Sequence, residues 1–181
     1  LQSTVKNIPR DRLWCAAPVN AGALRPWLTD RGSLTARLER HAGAITVRLL
    51  FQGLRRAHRD EAFLFGPQSR RVLVREVLLM HEGRPLVFAH TVLDAAALRG
   101  AWRRVTGLGN RPLGAALFAD PRIARYPLRQ KKLGRHHPLR RRAAALLPAL
   151  PASLWARRSL FALDRSPILV SEVFLPAVSA L

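Results

Sequence analysis

The sequence predicts an α+β protein organised around an antiparallel β-sheet. Residues 72–80 and 84–92 are two apolar runs joined by His81-Glu82-Gly83, and a second pair, 157–163 and 168–175, is joined by Asp164-Arg165-Ser166-Pro167. Apolar runs closed by such short polar turns form hairpins. No regular crossover helix separates successive strands, which antiparallel pairing permits and parallel pairing does not. With 181 residues, 49% of them hydrophobic, and no internal repeat, the chain fits one domain spanning residues 1–181.

The elements follow in order. Residues 1–30 are weakly patterned, but Pro26 and Trp27 suit the first turn of a helix over 23–28. Asp30-Arg31-Gly32-Ser33 reads as a turn, and Ser33 can cap a helix running to Arg40. The β-branched residues of 43–51 favour a strand, and the charged stretch 53–62 a loop. Residues 95–105 place Leu98, Trp102 and Val105 on one helical face. A Gly- and Asn-containing loop at 106–111 precedes a helix over 112–118 with Pro112 in its first turn. Residues 125–142 carry eight cations and no acid, the pattern of a solvated loop. A short helix is expected over 143–150, stopped by Pro148 and Pro151, before the last hairpin. About five strands result.

The formal charge of +20 attracts anions, whether nucleic acid, anionic lipid or an acidic small substrate. No zinc-ligand spacing, helix-turn-helix or aromatic RNA-binding motif supports nucleic acid as a specific partner. Cys15 is the only cysteine, so no intrachain disulfide forms, and a reducing, cytoplasmic setting is expected. There is no apolar run of membrane-spanning length and no signal-peptide pattern. His136-His137 lacks the Cys or carboxylate neighbours of a metal site, and Gly107-Leu108-Gly109 lacks the preceding strand of a dinucleotide fingerprint.

Two charges occupy positions that resist charge. Alternation puts Leu73, Arg75, Val77 and Leu79 on one face of their strand, and Ile168, Val170, Glu172 and Phe174 on one face of the last. A guanidinium in an apolar row is costly unless paired, and its fork matches a carboxylate. One reading is a buried salt bridge from Arg75 to Glu172 or Glu76. The other is a pocket with a cation and a carboxylate that orients a small anion.

These residues also carry a resemblance. Leu73-Val74-Arg75-Glu76-Val77-Leu78-Leu79 and Ser171-Glu172-Val173-Phe174-Leu175-Pro176 resemble segments of the chorismate lyases of ubiquinone biosynthesis. So do Trp27-Leu28 with Ser33-Leu34-Thr35, Pro112-Leu113-Gly114 with Leu117-Phe118, and Leu154-Trp155 with Arg157-Arg158-Ser159, in order and spacing. The resemblance implies a single antiparallel sheet with helices on one side, enclosing a pocket under flaps. It implies removal of pyruvate from chorismate to give 4-hydroxybenzoate, without metal or organic cofactor. Arg75 would hold the ring carboxylate, Leu113 would contact ligand through its backbone, and Glu172 would meet the phenolic hydroxyl and serve catalysis. Leu34 falls where the family has Met. For the second carboxylate of chorismate, His90, Arg104 and Arg111 are candidate cations. A monomer is expected, with a basic loop insertion at about 126–152 and peripheral contact to anionic membrane through 125–150. The alternatives are a non-catalytic ligand-sensing domain of the same fold and a basic nucleic-acid-binding protein.

Overall fold

The computed structural model describes residue 11 and residues 13–65 and 71–181. The elements are α1 (Arg25–Thr29), α2 (Leu34–Ala42), β1 (Thr46–Arg55), α3 (Ala62–Phe65), β2 (Val72–His81), β3 (Arg84–Asp94), α4 (Leu113–Ala119), β4 (Ala124–Arg125), β5 (Arg129–Leu133), α5 (Pro138–Leu146), β6 (Leu154–Leu163) and β7 (Ser166–Phe174). All seven strands form one antiparallel sheet in the order β1-β2-β3-β7-β6-β4, with β5 also pairing with β6. Both predicted hairpins form. Their turns hold Glu82 and Gly83 at φ 46° and 76°, and Asp164 and Arg165 at 48° and 64°. Positive φ at both central residues gives the turn twist that matches the strands.

Several expectations change. The loop over 53–62 is partly strand, because β1 continues to Arg55. As the sheet's edge strand β1 can carry exposed charge there, and that charge discourages edge-to-edge pairing. Residues 95–105 form two 3₁₀ turns, Ala95–Arg99 and Arg103–Val105, rather than one helix, interrupted at Gly100.

The largest correction is the basic stretch, which is ordered secondary structure and not a solvated loop. Gln130 and Leu133 of β5 face inward while Lys132 is exposed. Helix α5 begins at Pro138 and buries Leu139, Arg140 and Ala143, so it lies earlier than the 143–150 expected. Arg140 donates from Nε and Nη2 to the Pro151 carbonyl, at 2.9 and 2.6 Å, and ties the chain after α5 to the helix. Cationic side chains hid an apolar repeat whose members are few but fully buried.

Both faces of the sheet are covered. Helices α1 and α2 supply Trp27, Leu28, Leu34 and Leu38 to a core with Val77, Leu79 and Val87 on one face, and α4 extends that face with Leu113 and Leu117. The other face carries helices as well. There α5 packs Leu139 and Ala143 against Leu78, Phe88 and Val173, and α3 lies against Val74, Val92 and Leu169. No helix of the described residues is long and apolar enough to cross a membrane.

Candidate active site

Sheet register builds the site as two adjacent rows on the α2/α4 face. One row runs Arg75, Thr91, Val170, Ser159 across β2, β3, β7 and β6, and the next runs Val77, Ala89, Glu172, Arg157. Arg75 and Glu172 are therefore two strands and two residues apart, about 12 Å between backbones on standard sheet spacings. Arg75, Glu172, Leu34 and Leu113 all line one pocket, together with Thr35, Gly114, Phe118, Arg125, Arg157 and Phe161 among others. The cavity between these residues measures about 50 Å³, below the roughly 300–1,000 Å³ usual for small-molecule sites, so a ring-sized ligand must part its walls.

Arg75 is 2% exposed and pairs with neither Glu172 nor Glu76. Its Nη2 donates to the carbonyls of Gly109 (2.9 Å) and Arg111 (3.0 Å), in a loop that Gly109 turns at φ 51°. Its Nε is buried without a partner among the described residues. Burial lowers its pKa from the ordinary arginine range, but an arginine remains cationic. The buried salt bridge is thus not formed, and the guanidinium, which lines the cavity, is fixed by backbone carbonyls.

Glu172 Oε2 accepts a 2.5 Å bond from Arg157 Nε. Arg157 Nη1 donates onward to the carbonyls of Trp27 (3.1 Å) and Asp30 (2.8 Å), so the end of α1 positions the carboxylate through this arginine. Leu34 opens α2, whose N-terminus is capped by Ser33 Oγ. Leu113 opens α4, and a Cβ on the following Gly114 would meet Ser33 Oγ at 3.1 Å. A side chain at this position would press on Ser33 Oγ, so glycine eases the close approach of the two helix starts over the pocket.

The candidate cations for a second carboxylate are not in the pocket wall. His90 lies on the opposite face of β3, because it alternates with Ala89 and Thr91. Arg104 borders a separate groove beside Trp102 and Leu108. Arg111 turns back to the carbonyls of Gly107 and Leu108, and only its own carbonyl reaches Arg75. The pocket cations that sequence reasoning missed are Arg125 and Arg157. A signal for the second existed: adjacent arginines on a strand buried on both faces must point to opposite faces.

The opposite face holds a buried charge network. Arg158 donates to Asp60 (3.0 Å), Asp11 (3.1 Å) and Ser171 (2.9 Å) and lies 3.9 Å over the Trp14 ring. His90 sits between Glu61 and Glu76, 3.2 Å from each. Burial alone would depress its pKa, but the two carboxylates more than offset this and raise it to about 9. His58, Glu61 and His90 bring three ligand-type atoms within 4.8 Å of one another. The His58 and His90 rings are stacked, 4.9 Å apart and 14° from parallel. In-plane lone pairs of near-parallel stacked rings do not converge on one ion, and Arg158 Nη2 stands 4.0 Å from the same Glu61 oxygen. The cluster is an ion-pair network rather than a metal seat.

The fold resembles that of several solved structures. PhnF from Mycobacterium smegmatis matches with TM-score 0.55 and 18% identity over 82% of this chain and 65% of that one. A GntR-family regulator from Bacillus cereus matches with TM-score 0.53 and 13% identity over 74% and 92%. At such identities the likeness concerns the fold alone. Sequence comparison is more specific. A protein of Azoarcus sp. (strain BH72) named probable chorismate pyruvate-lyase is 49% identical over 176 residues, 93% of each chain. One of the same name from Nitrosomonas europaea is 49% identical over 170 residues, 93% of this chain and 96% of its own. The family model for chorismate lyase matches residues 10–180, and the chain belongs to that family.

Proposed function

We propose that the protein removes pyruvate from chorismate to give 4-hydroxybenzoate. One observation carries the reading: a buried guanidinium and a carboxylate face one cavity from positions too far apart to pair, each held by a different part of the fold. A ring with a carboxylate at one end and a hydroxyl at the other complements the two groups, and its entry parts the walls of the narrow cavity between them. In chorismate the proton on the hydroxyl-bearing ring carbon must leave, and that C–H pair becomes a ring double bond. The neighbouring C–O ether bond breaks, its electrons pass into the pyruvate enolate, and the enolate methylene takes up a proton. Aromatisation drives the step, so the protein's task is positioning and charge management.

In this reading Arg75 anchors the ring carboxylate, and its contacts to the Gly109 and Arg111 carbonyls fix the guanidinium at its end of the cavity. Glu172 meets the ring hydroxyl next to the carbon that loses its proton, while Arg157 fixes the orientation of the carboxylate. Leu34 and Leu113 close the apolar walls, with Leu113 contributing backbone as the family resemblance implies. Incubation with chorismate tests this directly: 4-hydroxybenzoate and pyruvate appear in equal amounts. Tight binding of 4-hydroxybenzoate with no pyruvate release would instead make the domain a ligand sensor.

A monomeric, cytoplasmic enzyme is part of the proposal. Contact with anionic membrane through 125–150 would be electrostatic, because Leu146, Leu147 and Leu150 pack into the core beside α5 while Arg135 and Arg141 are exposed. Flotation with anionic vesicles at low salt, lost at high salt, is the expected result, and no recovery at low salt removes the idea.

A further inference from the structure

We propose that Arg125 holds the second carboxylate of the substrate, the one on the enolpyruvyl group that leaves as pyruvate. This rests on the function proposed above and adds a residue that discriminates substrate from product. Arg125 lies in β4, beyond β6, on the opposite side of the pocket from Arg75 in β2. Its guanidinium carbon sits 4.9 Å from the Phe118 ring centre and 5.3 Å from that of Phe161. Its Nη2 donates to a neutral group, Ser159 Oγ, at 3.2 Å, and its Nε is buried with no partner among the described residues.

A cation in such surroundings calls for an anion. The other nearby guanidinium is already engaged, since Arg157 bonds Glu172 and two carbonyls. Burial, and then the Arg157 charge, lower the Arg125 pKa from the ordinary arginine range, with Glu172 and Asp30 opposing. The local field thus favours an incoming negative group. Arg125 also borders a second cavity with Arg31 and Tyr126, which adds another cation on the same side. Chorismate carries two carboxylates and two cations reach the cavity from opposite ends, whereas 4-hydroxybenzoate carries only one.

That difference supplies the test. In Arg125→Met, which keeps the stem between the two rings, kcat/KM for chorismate falls about 100-fold. Affinity for 4-hydroxybenzoate stays within about twofold of wild type, since no product group reaches this side. Arg125→Lys restores part of the loss, and Arg125→Gln repeats the measurement should the Met variant fold poorly by circular dichroism. Wild-type kcat/KM in Arg125→Met overturns the assignment. So does a loss of product affinity as large as the loss in kcat/KM, which would show a general packing role. If the wild-type protein releases no pyruvate, the proposed reaction is wrong. Chorismate affinity then decides about Arg125: weaker binding in Arg125→Met supports the anchor, and equal binding refutes it.

Discussion

Replacing Arg75 by methionine removes the guanidinium but keeps a side chain of similar length. In the empty protein two effects oppose one another. The carbonyls of Gly109 and Arg111 each lose a donor, at roughly 1–2 kcal/mol apiece, but a buried cation without a carboxylate partner is also removed. The melting temperature of the empty variant should therefore stay within a few degrees of wild type. In the complex the effects do not cancel, because the ring carboxylate enters the cavity unpaired. Loss of a desolvated carboxylate–guanidinium contact costs about 3 kcal/mol, or roughly 150-fold in Kd. At 100 times its Kd, 4-hydroxybenzoate stabilises wild type by about 2.7 kcal/mol. That raises the melting temperature by roughly 5–10 °C in a chain of this length. The same ligand concentration should leave Arg75→Met almost unmoved, and isothermal titration should show the affinity loss. A variant with the wild-type ligand shift and wild-type turnover of chorismate would refute the anchoring role.

Glu172→Gln keeps a hydrogen-bonding group at the far end of the ring but removes the carboxylate. Turnover should fall at least 100-fold while product affinity changes much less, and unchanged turnover would leave Glu172 no acid–base duty. His90 should make stability pH-dependent. Its folded pKa of about 9 exceeds the ordinary 6.5, so its contribution is fully present below about pH 6.5 and is lost as pH rises through 9. The amount is on the order of 3 kcal/mol, shared with Glu61 and Glu76, and Arg142, Arg158 and His58 also face the cluster. Urea unfolding of wild type between pH 6 and pH 9.5 should show that loss, and His90→Gln should flatten it. Arg158→Met should destabilise the fold by roughly 1–3 kcal/mol, because Asp60 and Asp11 lose the guanidinium while Trp14 and His137 still hold Asp60, yet leave KM for chorismate unchanged at temperatures where the variant is folded. A changed KM would mean that the two faces of the sheet are not independent.

The hairpins were legible because period-two alternation and turn chemistry are local, and Arg75 and Glu172 stood out as charges in apolar rows. The family resemblance, not alternation, pointed to Leu34 and Leu113. What alternation could not reveal is which charge meets which. Arg75 and Glu172 look like partners in one dimension. Only the insertion of β3 between β2 and β7 sets them apart, and only the loop at Gly109 supplies other acceptors. The basic stretch was misread because eight cations outweighed four inward residues, Gln130, Leu133, Leu139 and Ala143. A strand and a helix need few buried positions when their neighbours supply the rest of the core. Arg125 disappeared into the same misreading, as the first residue of an apparent loop.

The paired polar residues of the central strands explain how one sheet carries both a site and its support. Arg75 and Glu76, Thr91 and His90, Glu172 and Ser171, and Arg157 and Arg158 are chain neighbours, and each pair sends one member to either face. On the pocket side the charges are incompletely matched, since Arg75 and Arg125 have no carboxylate partner among the described residues and donate to neutral oxygens. On the other side they are closely matched, with Arg158, His90 and Arg142 set against Asp11, Asp60, Glu61 and Glu76. A slip of one residue in any of these strands would exchange the two sets, putting Arg158 or Glu76 into the pocket and breaking the network behind it. The closely matched face therefore fixes the register that the incompletely matched face needs, and Arg75 stays on the pocket side, away from any carboxylate, because the strand that carries it cannot shift.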